Sequence, residues 1–253
     1  MPIDEYQVNS VSELIETLRP IYRRSKTVWF RGHRIGRWHL DPTLSRKHLL
    51  NRELELTKRF KQNAFQFLSR IPSQEWEWMF LMQHYGVPTR LLDWTENPLV
   101  GLYFATREEQ FKSGTIKPEA AIWCLFPQKL NEMAGMVLGS EEDIPAFGEE
   151  QELSDYLPSH VGQTSSSKNP LAIIAPRQFE RVYAQQGVFT IMHREARHIE
   201  QLHPAKGEPK HLVKLTVPRK SVAAIQRELD ILRVTKLTVF PQLENVAEAA
   251  CQL

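Results

Sequence analysis

The chain has 253 residues, enough for one large domain or two small ones, and 42% of them are hydrophobic, ample for a buried core. Lys and Arg number 32 against 30 Asp and Glu, a formal net charge of +2, so overall charge argues for neither a nucleic-acid nor a membrane partner. Cys124 and Cys251 make no disulfide or zinc framework, the N-terminus has no signal-peptide pattern and no apolar run reaches spanning length, so we expect a soluble, cytoplasmic chain without membrane contact.

Residues 10–22 are predicted helical: Ser10 and Glu13 have capping-box spacing, Val11, Leu14, Ile15 and Leu18 share a face, and Pro20 is expected to end or bend the helix. Residues 27–32 read as a strand with Val28 and Phe30 on one side, Trp29 and Arg31 on the other. Arg31 then ends a core strand, either as a working side chain or as the partner of a structural carboxylate. Gly32 after it admits any backbone conformation, or a ligand close to the main chain. Eight basic side chains crowd residues 23–47 against one acid, Asp41, with Trp29, Phe30 and Trp38 interleaved. That mixture suits a nucleotide or a single-stranded nucleic acid, and equally a solvated basic loop.

Residues 52–69 are predicted to form a long helix with Leu54, Phe60, Ala64, Phe67 and Leu68 inward. Ser73 caps the next helix, whose apolar stripe of Trp76, Met79 and Phe80 is continued by Gln83, with Gly86 as its stop. The stretch 83–106 is the densest mixture of chemistry and packing in the chain. Its helix end presents Gln83, His84 and Tyr85, and a turn carrying Thr89, Arg90, Asp93 and Thr95 is expected to follow. Arg90 and Asp93 either staple that loop to each other or face a cleft. Asn97 and Pro98 then open a helix that is apolar nearly all round and therefore buried.

Residues 120–126 read as a strand. Over 127–170 the acids Glu141, Glu142, Asp143, Glu149, Glu150, Glu152 and Asp155, with a Ser-rich tract at 163–168, predict an exposed excursion, a lid or an inert loop. Strands are expected at 171–175, 187–192, 211–218 and 237–240. Helices are expected from Pro176, with Phe179, Val182, Tyr183 and Gln186 inward, and at 221–232 and 242–252. Helices come first and strands later without βαβ alternation, which favours a single α+β domain over 1–253. No phosphate-binding Gly-rich loop, dinucleotide fingerprint or His-Glu-x-x-His motif occurs, and His193, His198 and His203 recur every five residues, off any single helical face. We expect no metal.

Phe30-Arg31-Gly32, the run from Gln83 to Thr95 with Asn97-Pro98 and Leu102-Tyr103-Phe104-Ala105, and Gln185-Gln186-Gly187-Val188-Phe189-Thr190 together resemble the FRG domain family, and Leu237 to Leu243 looks like its closing segment. The resemblance covers about residues 27–248. A second resemblance, to mono-ADP-ribosyltransferases with an aromatic-Arg-Gly strand, implies N-terminal helices on a mostly antiparallel split sheet and NAD as co-substrate. It implies that Arg31, Gly32, Gln83, His84, Thr89, Arg90, Thr95 and Tyr103 (or Phe104) bind the nucleotide. Arg31, Asp93 and Gln186 would act in catalysis, with Gln186 standing where that family has a Glu and Asp93 or Glu195 as the substitute carboxylate. The acceptor would be a protein or a nucleic acid, or water if NAD is hydrolysed, in a toxin or phage-defence setting. A nucleic-acid-binding or nuclease-like module and a non-catalytic interaction domain are the alternatives.

Overall fold

The computed structural model describes residues 3–107, 118–136, 138–139, 143–163, 166–195, 198–208 and 210–251. In chain order, β1 (Asp4–Gln7) and α1 (Val11–Tyr22) precede β2 (Trp29–His33), then come the short α2 (Thr43–Arg46), α3 (Glu53–Ala64) and α4 (Glu75–His84). β3 (Leu91–Thr95), α5 (Pro98–Thr106), β4 (Ala120–Leu125) and α6 (Pro127–Met133) follow. The second half carries β5 (Leu171–Ile173), α7 (Glu180–Ala184), β6 (Gly187–Ile191), β7 (Leu212–Val217), α8 (Val222–Ile231), α9 (Lys236–Val239) and α10 (Leu243–Ala250).

The architecture is α+β. One open seven-stranded sheet, ordered β1-β7-β4-β2-β3-β6-β5, carries helices on its faces. Every pairing is antiparallel except that of β1 with β7. The expected division into a split sheet is corrected to a single sheet with a weak seam, described below. β1 has no counterpart in the sequence reading, because Asp4-Glu5-Tyr6-Gln7 is a polar edge strand with only backbone pairing to reveal it, Asp4 opposite Val213 through Gln7 opposite Thr216.

Alternation along the strands builds two large cores, and a third cluster gathers Leu91, Phe189 and Ile191 with Phe147, Leu153 and Tyr156. On one face Phe30, Ile122, Cys124, Val213, Leu215 and Val217 pack against α1, α5 and α8. On the other, Trp29, Leu92, Trp94, Trp123, Leu125 and Leu212 meet Leu40, Leu130 and Ile199. α1 begins as expected, with Ser10 Oγ accepting from the Glu13 amide at 3.1 Å, although Glu13 reaches the Asn9 amide at 2.8 Å and not that of Ser10. α5 is capped by Asn97, whose Oδ1 accepts from Leu99 N at 2.9 Å. Among the described residues no helix is long and apolar enough to cross a membrane.

Four expectations are corrected. The 91–95 segment is a central strand and not a turn: Leu92 and Trp94 alternate with Asp93 and Thr95, a period-two pattern masked by its polar members. α3 buries Glu53 and Thr57, while Leu54 and Phe67 face solvent, because an ion pair and not an apolar stripe anchors this helix. The 127–170 region is no exposed excursion, since Leu130, Phe147, Leu153 and Tyr156 are buried in the core; its acids sit between these apolar anchors, and Glu141 and Glu142 lie outside the described residues. Residues 237–239 belong to α9 and not to a strand, with Phe240 directly after the helix, because Thr235 caps this turn and its Oγ1 accepts from Thr238 N at 3.4 Å.

Candidate functional site

The site begins at the seam of the sheet. β2 and β3 meet with Phe30 opposite Thr95 and then part, whereas β2 stays paired to β4 from Trp29 to His33 and β3 to β6 from Leu91 to Thr95. Parting strands deprive backbone groups of their ladder partners, and a carbonyl left there needs another donor. Arg31 supplies it: Nη1 donates to the Asp93 carbonyl across the gap. Arg31 Nε donates to His33 Nε2 at 3.1 Å, so the neutral ring carries its proton on Nδ1. Desolvation, followed by the charges of Arg31 and Arg46, pushes His33 down to about 2, and the ring stays neutral through the physiological range. Desolvation also lowers Arg31, to about 10, with Asp93 opposing it; the guanidinium remains a cation at neutral pH.

The gap opens into a cleft of about 260 Å³. Five arginines line it, Arg31, Arg34, Arg46, Arg107 and Arg181, with Asp93 the one carboxylate among the lining residues. Aromatic rings carry several of these cations. Arg34 lies 5.8 Å from the centroid of Trp38, Arg107 5.4 Å from Phe104, and Arg181 5.1 Å from Phe240. Phe104 and Phe240 meet edge to face at 5.7 Å, and Gln185 Nε2 holds the α9 end through the Val239 carbonyl at 3.1 Å. The cleft is thus electropositive, with flat apolar faces between the charges.

Asp93 stands at its border. Thr89 Oγ1 donates to Gln83 Oε1 at 2.5 Å, and Gln83 Nε2 donates to Asp93 Oδ2 at 2.9 Å. The first bond orients the Gln83 amide, and the amide then fixes the exposed carboxylate. A smaller pocket of about 40 Å³ opens on the other side of Asp93 and shares Asp93, Arg181 and Gln185 with the cleft. His84 lines this pocket, stacked on Phe179 with centroids 4.1 Å apart, and desolvation lowers its pKa.

The structure therefore brings Arg31, Gln83, Asp93 and Thr95 together, with Thr89 one bond behind and His84 on the far side of Asp93. Thr95 Oγ1 donates to the Gln185 carbonyl at 2.5 Å, which ties β3 to the α7 end. Five residues serve otherwise than expected. Arg90 is 2% exposed and lines neither pocket: Nε donates to Glu53 Oε1 at 2.9 Å, Nη2 to Glu53 Oε2, and Nη1 to the Met192 and His193 carbonyls at 3.1 and 3.2 Å. It pairs with Glu53 and not with Asp93, because alternation along β3 and the entry of α3 place Glu53 beside it. Gln186 is exposed at φ 46 in the turn before β6, where its carbonyl accepts from Glu96 N at 3.1 Å, and Gln185 lines the cleft in its stead. Gly32 borders the cleft, but a Cβ there would lie 2.0 Å from the Gly101 carbonyl oxygen and 2.4 Å from Ala105 N, so its missing side chain serves the contact with α5. Tyr103 packs on the core near α1 and α8, and Phe104 is the aromatic that reaches the cleft. Glu195 lines neither pocket. Arg34 and Arg46 come from the basic 23–47 segment, whereas Arg107 and Arg181 escaped the sequence reading, since single arginines on or at the end of two separate helices carry no local signature.

No metal-ligand cluster lines the cleft among the described residues. No curated protein and no solved structure matches the chain. Residues 26–113 match the model of the FRG domain, a span that includes β2, the Gln83-Thr89-Asp93 relay and α5. The chain therefore carries an FRG domain, and the seam between β2 and β3 lies inside it.

Proposed function

We propose that the cleft binds a phosphate-bearing nucleotide, with NAD as the leading ligand. The observation that carries this reading is the convergence of five arginines and two accessible aromatic faces, Trp38 and Phe104, on one cleft that holds a single carboxylate among the described residues. Guanidinium forks match phosphate oxygens in pairs, and flat rings receive a base or a nicotinamide. A volume of about 260 Å³, just below the range of about 300 to 1,000 Å³ for ligand clefts, suits the phosphoribosyl portion of such a ligand and not the whole of it.

The chemistry we assign is ADP-ribosyl transfer or NAD hydrolysis. The bond from ribose C1′ to the nicotinamide nitrogen breaks and nicotinamide leaves with the electron pair. An acceptor on a protein or nucleic acid, or water, then bonds to C1′ and releases its proton. Positive charge develops on the sugar, and Asp93 is the carboxylate positioned to face it, fixed by Gln83. One well-placed electrostatic group contributes about 3–4 kcal/mol to such a step. Arg31, Arg46, Arg107 and Arg181 would hold the diphosphate.

Incubation with NAD labelled in the adenylate half, with and without cell extract, tests the reading. Label transfer or nicotinamide release that disappears in Asp93→Asn supports it. The absence of transfer, of nicotinamide release and of NAD binding by calorimetry overturns it. A second reading, binding of single-stranded nucleic acid, is favoured by Arg34 stacked on the exposed Trp38 at the lip. It predicts binding to an oligonucleotide that weakens steeply with added salt.

A further inference from the structure

Away from the cleft, two short segments meet at the edge of the second core. His39-Leu40-Asp41 follows β2, and His198-Ile199-Glu200 precedes β7. Each has a buried apolar residue at its centre, and Leu40 and Ile199 belong to the same cluster under Trp29 and Leu212. The flanking polar side chains cross over. His39 Nδ1 lies 2.6 Å from Glu200 Oε1, and His198 Nδ1 lies 2.6 Å from Asp41 Oδ1. Glu200 Oε2 accepts the Leu40 amide at 3.2 Å, and the buried His211 bonds the Ile199 carbonyl through Nε2 at 2.8 Å. The two imidazoles stack with centroids 4.4 Å apart and planes 22° from parallel. Donor atoms of His39, His198 and Glu200 all lie within 4.8 Å of one another.

We propose that His39, His198 and Glu200 form a binding site for a divalent transition metal, zinc above all, with Asp41 orienting the His198 ring through its Nδ1. Two carboxylates, Asp41 at 9% and Glu200 at 12% side-chain exposure, sit in a partly desolvated notch beside two stacked rings. A dication balances the carboxylates with both rings neutral, the form in which histidine ligates. Two imidazole nitrogens and one carboxylate oxygen are a donor set zinc accepts readily, at bonds of about 2.0–2.2 Å, with the fourth tetrahedral position open to water. The sequence hides the site because its residues come as two carboxylate-bearing pairs 157 and 161 positions apart. Its role is positional: zinc would lock the 39–41 segment to the 198–200 segment and so fix Trp38, the next residue, at the lip of the cleft. The proposal is independent of what the cleft binds.

The test is a zinc titration of the metal-stripped full chain in competition with a chromogenic chelator, run in a Cys251→Ser background so that the exposed thiol adds no ligand. Cobalt(II) substitution, read by visible absorption, reports the geometry. One zinc per chain is expected, with a tetrahedral cobalt spectrum. His39→Ala, at a largely exposed position where folding is undisturbed, should weaken zinc at least 100-fold, and Asp41→Asn about tenfold. Added zinc should raise the melting temperature of the parent and not of His39→Ala. A parent that binds no zinc, or that binds it equally well after His39→Ala and His198→Ala, overturns the proposal.

Discussion

The buried pair of Arg90 and Glu53 offers the sharpest test of how the central segment is held. Arg90 is 2% exposed and the Glu53 side chain 5%, and the guanidinium makes two bonds to the carboxylate and one each to two backbone carbonyls. Glu53→Gln leaves a buried cation facing an amide. Removing one member of such a pair costs about 3–5 kcal/mol, because the remaining charge is neither solvated nor balanced. At about 2–4 °C per kcal/mol for a chain of this size, the melting temperature should fall by roughly 6–20 °C. Urea unfolding of the parent, Glu53→Gln, Arg90→Met and the double variant Glu53→Leu/Arg90→Met gives the coupling directly. The double variant should recover most of the loss, less about 1 kcal/mol for each carbonyl, of Met192 and His193, left without its donor. A loss below about 1 kcal/mol in Glu53→Gln would refute the claim that this pair, and not an Arg90–Asp93 staple, anchors α3 to β3.

Three further outcomes follow from the same geometry. Gly32→Ala forces a methyl to within 2.0 Å of the Gly101 carbonyl oxygen, and since helix backbone cannot yield as a side chain can, it should destabilise by about 3 kcal/mol or more in chemical unfolding. Asp93→Asn keeps an acceptor for Gln83 and should stay within about 1 kcal/mol of the parent while nicotinamide release drops at least 100-fold with nucleotide affinity retained; equal loss of fold would assign Asp93 a structural role. His33 has a folded pKa far below its unfolded value near 6.5, so the unfolded chain takes up the proton first and stability falls as pH drops below that value. Between pH 7 and 4.5 this one ring should cost about 3 kcal/mol, and His33→Gln should flatten that part of the pH–stability curve; an unchanged slope would place the titration elsewhere.

The residues that pack were easier to read in the sequence than those that line the cleft. The α1 face, the Asn97 cap of α5 and the strands around Trp29, Ile122 and Leu215 follow from local spacing and capping, which a single sequence displays directly. Gln83 was legible as a polar residue extending an apolar stripe, and it does meet Asp93. β3 was misread because Asp93 and Thr95 look like turn chemistry, yet Asp93 lies where the partner strand has moved away and Thr95 is the buried residue that still pairs with Phe30. Arg90 and Arg31 look alike in sequence, two arginines beside apolar strands. Only the position of Glu53, 37 residues away, makes one a buried anchor, while the parting of β2 and β3 makes the other a cleft residue. Gln185 and Gln186 are neighbours with opposite fates for a conformational reason: at φ 46, Gln186 turns the chain outward, and only Gln185 reaches the cleft.

The central claim is that the parted seam forms an arginine-lined receptor for a nucleotide, and calorimetric titration of ADP-ribose into the parent chain and into Arg31→Lys/Arg46→Gln tests it most directly. Saturable one-to-one binding by the parent, weakened at least tenfold in a variant that unfolds cooperatively like the parent, is the predicted result. A parent that takes up no ADP-ribose, or a variant that binds it equally well, would contradict it.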